Sequence, residues 1–331
     1  MGEVAQIAVP VPYLGSVNVW LLPGEPLTLV DTGPANDEAL GSLEQQLSAF
    51  GHALEDIELV LITHHHLDHA GLAGLIKERA DAEIAAHHGT ARWGRSYDER
   101  VAEERSFTVE LLHAHGVPDD IVEAAEPFFE HIRNESRSFE TDRPLRDGDR
   151  IVAGGRTLRV VFRPGHSTTD TLFVDDDAEE AFVGDHLLAN ITSGAELMPT
   201  ELPGDERRQA LLEYLSNLRK TQVMQLRTCY PGHGPPIEDH RRLIDERMTF
   251  HSARLDAITR AIEDGCGTAF EVAGRLWPDD VVRDQSVLAV WEVLGHLDIL
   301  VNRGTVSEAI DGSGRHRFRT KGDLGVATAE R

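Results

Sequence analysis

The sequence predicts an α/β protein, and three observations carry that reading. Short apolar runs rich in branched residues, Ile57 to Ile62 among them, are bounded by turn residues and read as buried strands. Between such runs lie segments with apolar residues at helical spacing, as in Asp37 to Phe50, where Leu40, Leu43, Leu47 and Phe50 share one face. One strand then ends in four histidines and an aspartate within six residues, His64-His65-His66-Leu67-Asp68-His69.

Ile7-Ala8-Val9, Val17 to Leu22 and Leu27 to Val30 are expected strands, the last two joined by the hairpin signal Pro23-Gly24-Glu25-Pro26. The helix Asp37 to Phe50 serves packing. The strand ending at Ile62 delivers the pattern H-x-H-x-D-H, carried by His64, His66, Asp68 and His69. Imidazoles and a carboxylate at a strand end, beside a helix start, are a metal-binding pattern. They offer more ligands than one tetrahedral zinc needs, so two metals are expected. A helix through Lys77 and Arg79 follows, then a strand Ala82 to Ala86 ending in His87-His88, one expected at a pocket edge and the other at the surface.

Trp93 to Thr141 breaks the strand rhythm, with helices expected over Val101 to Ala114 and Asp119 to Asn134. Phe107, Leu111, Leu112, Phe128 and Phe129 either line an acyl pocket or hold the segment in place, packing being the favoured reading. His113, His115 and His131 are assigned no role. A turn at Leu145 to Arg150 leads to strands Ile151-Val152 and Leu158 to Phe162, then to His166. Thr171 to Val174 and Ala181 to Val183 form a hairpin across the solvated turn Asp175 to Asp177, closed by Asp185. A helix over Arg207 to Lys220 and the segment Val223 to Tyr230 lead to His233. Beyond about residue 245 the chain is helical (Leu243 to Glu263, Ala269 to Trp277, Asp284 to Asn302), then strand-turn-strand around Asp311 to Gly314. Three helices and such a wing resemble a winged helix. Domains are therefore expected at 1–245, with a helical insertion at about 93–141, and at 246–322, followed by a tail at 323–331.

The motifs, taken together, resemble the metallo-β-lactamase-fold hydrolases. Leu29-Val30-Asp31-Thr32-Gly33, the histidine-rich turn, Pro164-Gly165-His166-Ser167, Val183-Gly184-Asp185-His186 and Tyr230-Pro231-Gly232-His233-Gly234 occur in that family's order over roughly residues 7 to 240. The resemblance implies a four-layer αββα sandwich. It implies His64, His66 and His166 on one metal, Asp68, His69 and His233 on a second, and Asp185 bridging them. The expected metals are two divalent ions, zinc first, with manganese or iron as alternatives. Asp31 is either plain turn chemistry or, in the family's pattern, an acceptor for a metal-bound histidine. His65 and His186 are expected to be passive. Ser167-Thr168-Thr169-Asp170 departs from the glycine-histidine pair that many relatives carry there.

Composition excludes several classes. A formal net charge of -25, from 57 acidic and 32 basic side chains, disfavours broad nucleic-acid binding. Cys229 and Cys266, the only cysteines, make neither a disulfide framework nor a thiolate zinc site. Met1 to Tyr13 lacks the pattern of a secretory signal and no segment reaches membrane-span length, so a cytoplasmic protein without a membrane partner is expected.

The expected function is hydrolysis in which a hydroxide shared by two metals attacks the carbonyl of a small-molecule thioester or ester, with Asp68 orienting the nucleophile or relaying a proton. Alternatives are a lactonase, or an endoribonuclease or phosphodiesterase gripping a phosphate backbone with Arg315, Arg317, Arg319 and Lys321 of the wing. A small acyl substrate is the expected partner, nucleic acid a lesser candidate, and a solvated wing or a homodimer contact the plainer reading of those arginines.

Overall fold

The computed structural model describes residues 2–12, 15–199 and 207–320; Lys321 and the tail at 323–331 lie outside the described residues. Contacts divide the chain into two units. The first comprises Met1–Val101, His131–Ser193 and Ser216–Ile244, and the second Ala102–Glu130, Gly194–Leu215 and Asp245–Arg331.

The first unit holds two sheets. Strands β1 (Ala5–Val11), β2 (Gly15–Leu22), β3 (Thr28–Val30), β4 (Leu59–Ile62), β5 (Glu83–His87) and β6 (Arg143–Leu145) form one sheet in that order. Its first three strands are antiparallel and the pairs from β3 to β6 are parallel. Helices α1 (Asp37–Ala49), α2 (Leu67–Ala70), α3 (Ala73–Ala80) and α4 (His88–Arg95) connect its strands. The chain then runs through α5 (Tyr97–Ala114), α6 (Asp119–Ala124) and α7 (Glu126–Asn134) before β6. The second sheet has the order β11-β10-β9-β8-β7, built from β7 (Arg150–Ala153), β8 (Arg156–Phe162), β9 (Thr171–Asp175), β10 (Glu180–Gly184) and β11 (Thr228–Pro231).

Strand β4 shows why these layers form. Val60 and Ile62 pack with Leu43 and Leu47 of α1 and Ile76 of α3, whereas Leu59 and Leu61 pack with Phe173 and Phe182 of the second sheet. A strand covered on both faces needs apolar side chains at every position, hence its unbroken run. The outer side of the second sheet is also covered: β9 and β10 are buried throughout. Helix α8 (Ala210–Gln222) meets that side, Asn217 donating to the Pro164 carbonyl at 2.6 Å and Thr221 bonding to His186 at 2.8 Å. The result is the αββα sandwich.

In the second unit, α9 (His240–Glu263), α10 (Ala269–Leu276), α11 (Asp279–Asp284) and α12 (Ser286–Asn302) precede the hairpin of β12 (Val306–Ile310) and β13 (His316–Thr320). Arg283 of α11 pairs with Asp120 of α6 at 3.3 Å. The helix expected over Asp119 to Asn134 is two, interrupted at Ala125. Leu112 and Phe129 are buried in packing, while Phe107, Leu111 and Phe128 are half-buried. The wing's alternation puts His316 and Phe318 on one face, Phe318 being buried; Arg317 on the other pairs with Asp311 at 3.0 Å and Glu271 at 3.8 Å. Among the described residues no helix is long and apolar enough to cross a membrane.

A buried pair of imidazoles in this unit gives a pH prediction. His251 of α9 and His296 of α12 lie ring nitrogen to ring nitrogen at 3.1 Å and are buried. Burial, chiefly, pushes His251 down to about 3 and His296 down to about 4. An unfolded imidazole titrates near 6.5, so below that pH the unfolded chain binds protons that the folded chain refuses. Stability is therefore unaffected by this pair above about pH 6.5 and falls as pH drops toward 4, by about 1.4 kcal/mol per pH unit for each imidazole. Urea midpoints should hold level from about pH 7.5 to about pH 6.5 and decline from there to about pH 5; a flat profile across the lower range would contradict this.

Candidate metal centre

Strands β8, β10 and β11 share one direction, because β9 lies antiparallel to β8 and β10 while β11 is parallel to β10. The loops after them therefore open at one end of the second sheet, and they carry His166, Asp185 and His233. From the first sheet, β4 ends at Ile62, and the chain turns through Thr63 and His64 into α2, with His66 as its N-cap. Asp68 and His69 lie on that single turn of helix. All seven candidate ligands belong to the first unit.

The side chains converge as two triads. His64 Nε2 and His166 Nε2 each lie 3.1 Å from His66 Nδ1. Asp68 Oδ2 lies 3.1 Å from His233 Nε2 and 3.6 Å from His69 Nε2. Asp185 stands between the triads: Oδ2 is 3.7 Å from His166 Nε2 and 3.5 Å from His233 Nε2, and Oδ1 is 3.5 Å from His69 Nε2. Bonds of about 2.0–2.1 Å put two ligands of a tetrahedral ion about 3.3 Å apart, so these spacings fit metal donors. Buried polar atoms point the same way. His69 Nε2, Asp185 Oδ1 and His233 Nε2 are buried and, among the described residues, make no well-aligned hydrogen bond, only ion-pair contacts at 3.1–3.6 Å. A cation among them would answer these buried atoms more fully.

Charge in the cluster follows from burial and neighbours. Burial, reinforced by His69 and His66, holds His64 well below the ordinary imidazole range, so its lone pairs are available. For His233 burial acts downward, yet Asp185 and Asp68 outweigh it and raise the group to about 9. His69 is likewise raised well above its ordinary value, by Asp68, Asp185 and Asp31 against burial. Burial works against the charges of Asp68 and Asp185, but His69 and His233 hold both carboxyls well below the usual range. The second triad thus carries protons that a divalent cation replaces.

A further ring of contacts fixes the donors. Asp31 adopts a left-handed backbone, φ 63°, at the turn after β3. Its Oδ1 accepts from Thr63 N at 2.8 Å, and its Oδ2 accepts from Thr63 Oγ1 and His69 Nδ1, both at 2.8 Å. Asp31 is thus a turn residue whose carboxylate also receives the His69 Nδ1 proton, the contact that the family pattern implies for it. His233 Nδ1 donates to the Ser16 carbonyl at 2.7 Å, which leaves Nε2 for the cluster. His65 points elsewhere, stacked on Trp93 at 3.9 Å and bonded through Nδ1 to Thr169 Oγ1 at 2.9 Å. Thr169 lies in the loop segment that departs from the family pattern, and Asp170 closes that loop by accepting from Ser167 Oγ at 2.6 Å. His186 turns to Thr221. His87 is buried against Phe162 at 4.0 Å and caps α4, whereas His88 is exposed. Cys229 is buried, Cys266 half-buried, and both are free thiols.

Asp31→Asn tests this support. It keeps the shape but removes the charge that holds the His69 Nδ1 proton. Metal affinity should fall about 10–100-fold, the usual loss for such partners, as read by competition with a chelating dye. Unchanged affinity would show the contact to be dispensable.

Comparisons with known proteins identify the family of the chain. The family model described as Metallo-beta-lactamase superfamily matches residues 12–233. A probable metallo-hydrolase of Bacillus subtilis, YqjP, is 31% identical over 315 residues, covering 94% of this chain and 96% of that protein. An atrochrysone carboxyl ACP thioesterase of Aspergillus fumigatus is 29% identical over 193 residues, 55% of this chain and 56% of its own length. The crystal structure of a metallo-beta-lactamase family protein from Thermus thermophilus superposes with a TM-score of 0.80 at 30% identity, covering 96% of this chain and 98% of that one. The protein is thus a member of the metallo-beta-lactamase superfamily.

Proposed function

We propose that the protein is a binuclear metal-dependent hydrolase of small-molecule thioesters or esters. The observation that carries this reading is the placement of Asp185 between two triads, its Oδ2 within 3.7 Å of His166 and 3.5 Å of His233. His64, His66 and His166 would hold one divalent cation and Asp68, His69 and His233 the other, with Asp185 common to both. Nitrogen and oxygen donors without thiolate suit zinc, then manganese or iron. Two such cations supply Lewis acidity toward a carbonyl oxygen and bring the deprotonation of water into the neutral range.

The chain's own residues do the rest. His64 and His69 are fully buried, whereas Asp68 keeps 8% of its surface exposed and His66 and His166 are half-buried, so substrate reaches the cluster from that side. The Asp68 carboxylate can accept the proton of the attacking water and pass it to the departing group. A thiol titrates near 8.5, so a thiolate leaves without a strong acid beside it. Asp68 and Asp185 are both held in the charged form, so the cluster keeps no strong acid of its own and suits a thioester better than an amide. The thioesterase named among the relatives supports the same preference, although the chain spans 56% of that protein's length.

Thiol release from glutathione- and coenzyme-A-linked thioesters by zinc- or manganese-loaded protein tests the proposal. Turnover should appear with at least one acyl group and fall at least ~100-fold in Asp68→Ala, the usual scale for losing a general acid-base group. No thiol release across the panel would reject the thioester reading and move the assay to lactones, which present the same carbonyl.

A further inference from the structure

A second group of metal-ligand side chains lies away from the seven residues above, within the second unit. His115 directly follows α5, and Glu308 and His316 sit on β12 and β13. One potential donor atom from each lies within 4.8 Å of the others. The rings of His115 and His316 are 4.5 Å apart, and Glu308 Oε1 accepts from His316 Nδ1 at 2.6 Å. His115 is 3% exposed, so it is fixed rather than mobile. Its amide donates to the Leu111 carbonyl at 3.0 Å, and its own carbonyl accepts from Phe270 N at 3.3 Å. Its Nδ1 is buried with no hydrogen-bond partner among the described residues. Two imidazoles and a carboxylate, one of them with an unanswered buried nitrogen, are more than a packing contact requires.

We propose that His115, Glu308 and His316 form a further divalent-metal site, which fastens the β12–β13 hairpin to the end of α5. Two nitrogens and one oxygen select a borderline cation such as zinc, nickel or cobalt over magnesium or calcium, which prefer all-oxygen shells. Bonds near 2.0–2.1 Å put neighbouring donors about 3.3 Å apart, so Glu308 and His316 must open from 2.6 Å, while donors now up to 4.8 Å apart draw in around the ion. Glu308 can supply that movement, since its side chain is 38% exposed and flexible. The imidazole of His115 is held neutral, down to about 3, by burial, then His316 and Arg207, so its lone pair does not compete with a proton at neutral pH. Arg207, the neighbouring positive charge, is already engaged by Asp298 at 2.6 Å. Three protein donors would leave a fourth position open to water or a further ligand.

The test compares zinc content after equilibrium dialysis of full-length protein at pH 7.5 for the wild type, His316→Gln, Glu308→Gln and His115→Gln. His115 is buried and its variant can misfold, so the two hairpin variants, confirmed folded by circular dichroism, carry the decision. The wild type should retain one more equivalent than His316→Gln, and thermal melting should show a zinc-dependent rise that this variant lacks. The same one-equivalent difference is expected in an Asp185→Asn background, which separates this site from the binuclear centre and from the outcome of any thioester assay. Equal zinc content in wild type and both hairpin variants would overturn the proposal. So would loss of the equivalent in the wild-type background alone, because the metal would then belong to the other centre.

Discussion

Replacing Asp185 by asparagine is expected to lower turnover at least ~10³-fold and to cost the protein bound metal, with the fold retained. Asp185 is 7% exposed, and its oxygens approach donors of both triads. The amide nearly preserves volume, so packing changes little. It removes the negative charge that balances two cations and leaves an NH₂ where Oδ1 or Oδ2 stands. A thousandfold loss corresponds to about 4 kcal/mol of barrier, within the several kcal/mol that metal-based charge stabilisation supplies. Steady-state kinetics with parallel elemental analysis checks both halves. Full turnover with undiminished metal would mean that Asp185 does not join the triads.

Gly232→Ala should be nearly as damaging, although it removes no donor. A Cβ built at Gly232 falls 2.2 Å from Asp185 Oδ1 and 2.5 Å from His69 Cε1. The backbone cannot retreat: Gly232 N donates to the Gly184 carbonyl at 2.8 Å, and the Gly232 carbonyl accepts from Asn18 N at 2.7 Å. Asn18 Nδ2 also holds the Pro231 and Gly234 carbonyls, at 2.9 and 2.8 Å. The methyl must therefore push the carboxylate or the imidazole aside. Overpacking of this kind costs about 1–3 kcal/mol of stability, and displacing a reacting group by about 1 Å costs on the order of 100-fold in rate. Gly41→Ala on the open face of α1 is the control, where an added methyl meets nothing within 4 Å. Gly41→Ala should leave activity intact and Gly232→Ala should abolish most of it; equal activity in the two would show that the loop yields.

The histidine-rich turn was legible because β4 and α2 bring its donors together within a few residues, where spacing alone defines the geometry. His166, Asp185 and His233 are remote in sequence, and only the likeness of their motifs to a family joined them to the turn. Asp31 resisted a single reading because a turn and a hydrogen bond to His69 ask for the same residue at the same place. The role of Gly232 was hidden, since close approach of two side chains to a backbone leaves no mark in composition. The strand β6 escaped because three residues including Pro144 give no period. His115 was passed over for a related reason. A helix-end histidine looks exposed until the hairpin is seen to bring His316 and Glu308 against it. In the wing, His316 and Phe318 alternate with the arginines in sequence, but only the fold shows that this alternation buries Phe318 and leaves Arg317 paired with acids.

The most direct measurement is an anomalous difference map at the zinc edge from crystals of zinc-loaded protein. Two peaks about 3.5–4 Å apart are expected, one bonded to His64, His66 and His166, the other to Asp68, His69 and His233, with the Asp185 carboxylate touching both. A single peak among these seven residues, or none, would contradict the binuclear centre on which the proposed hydrolysis rests.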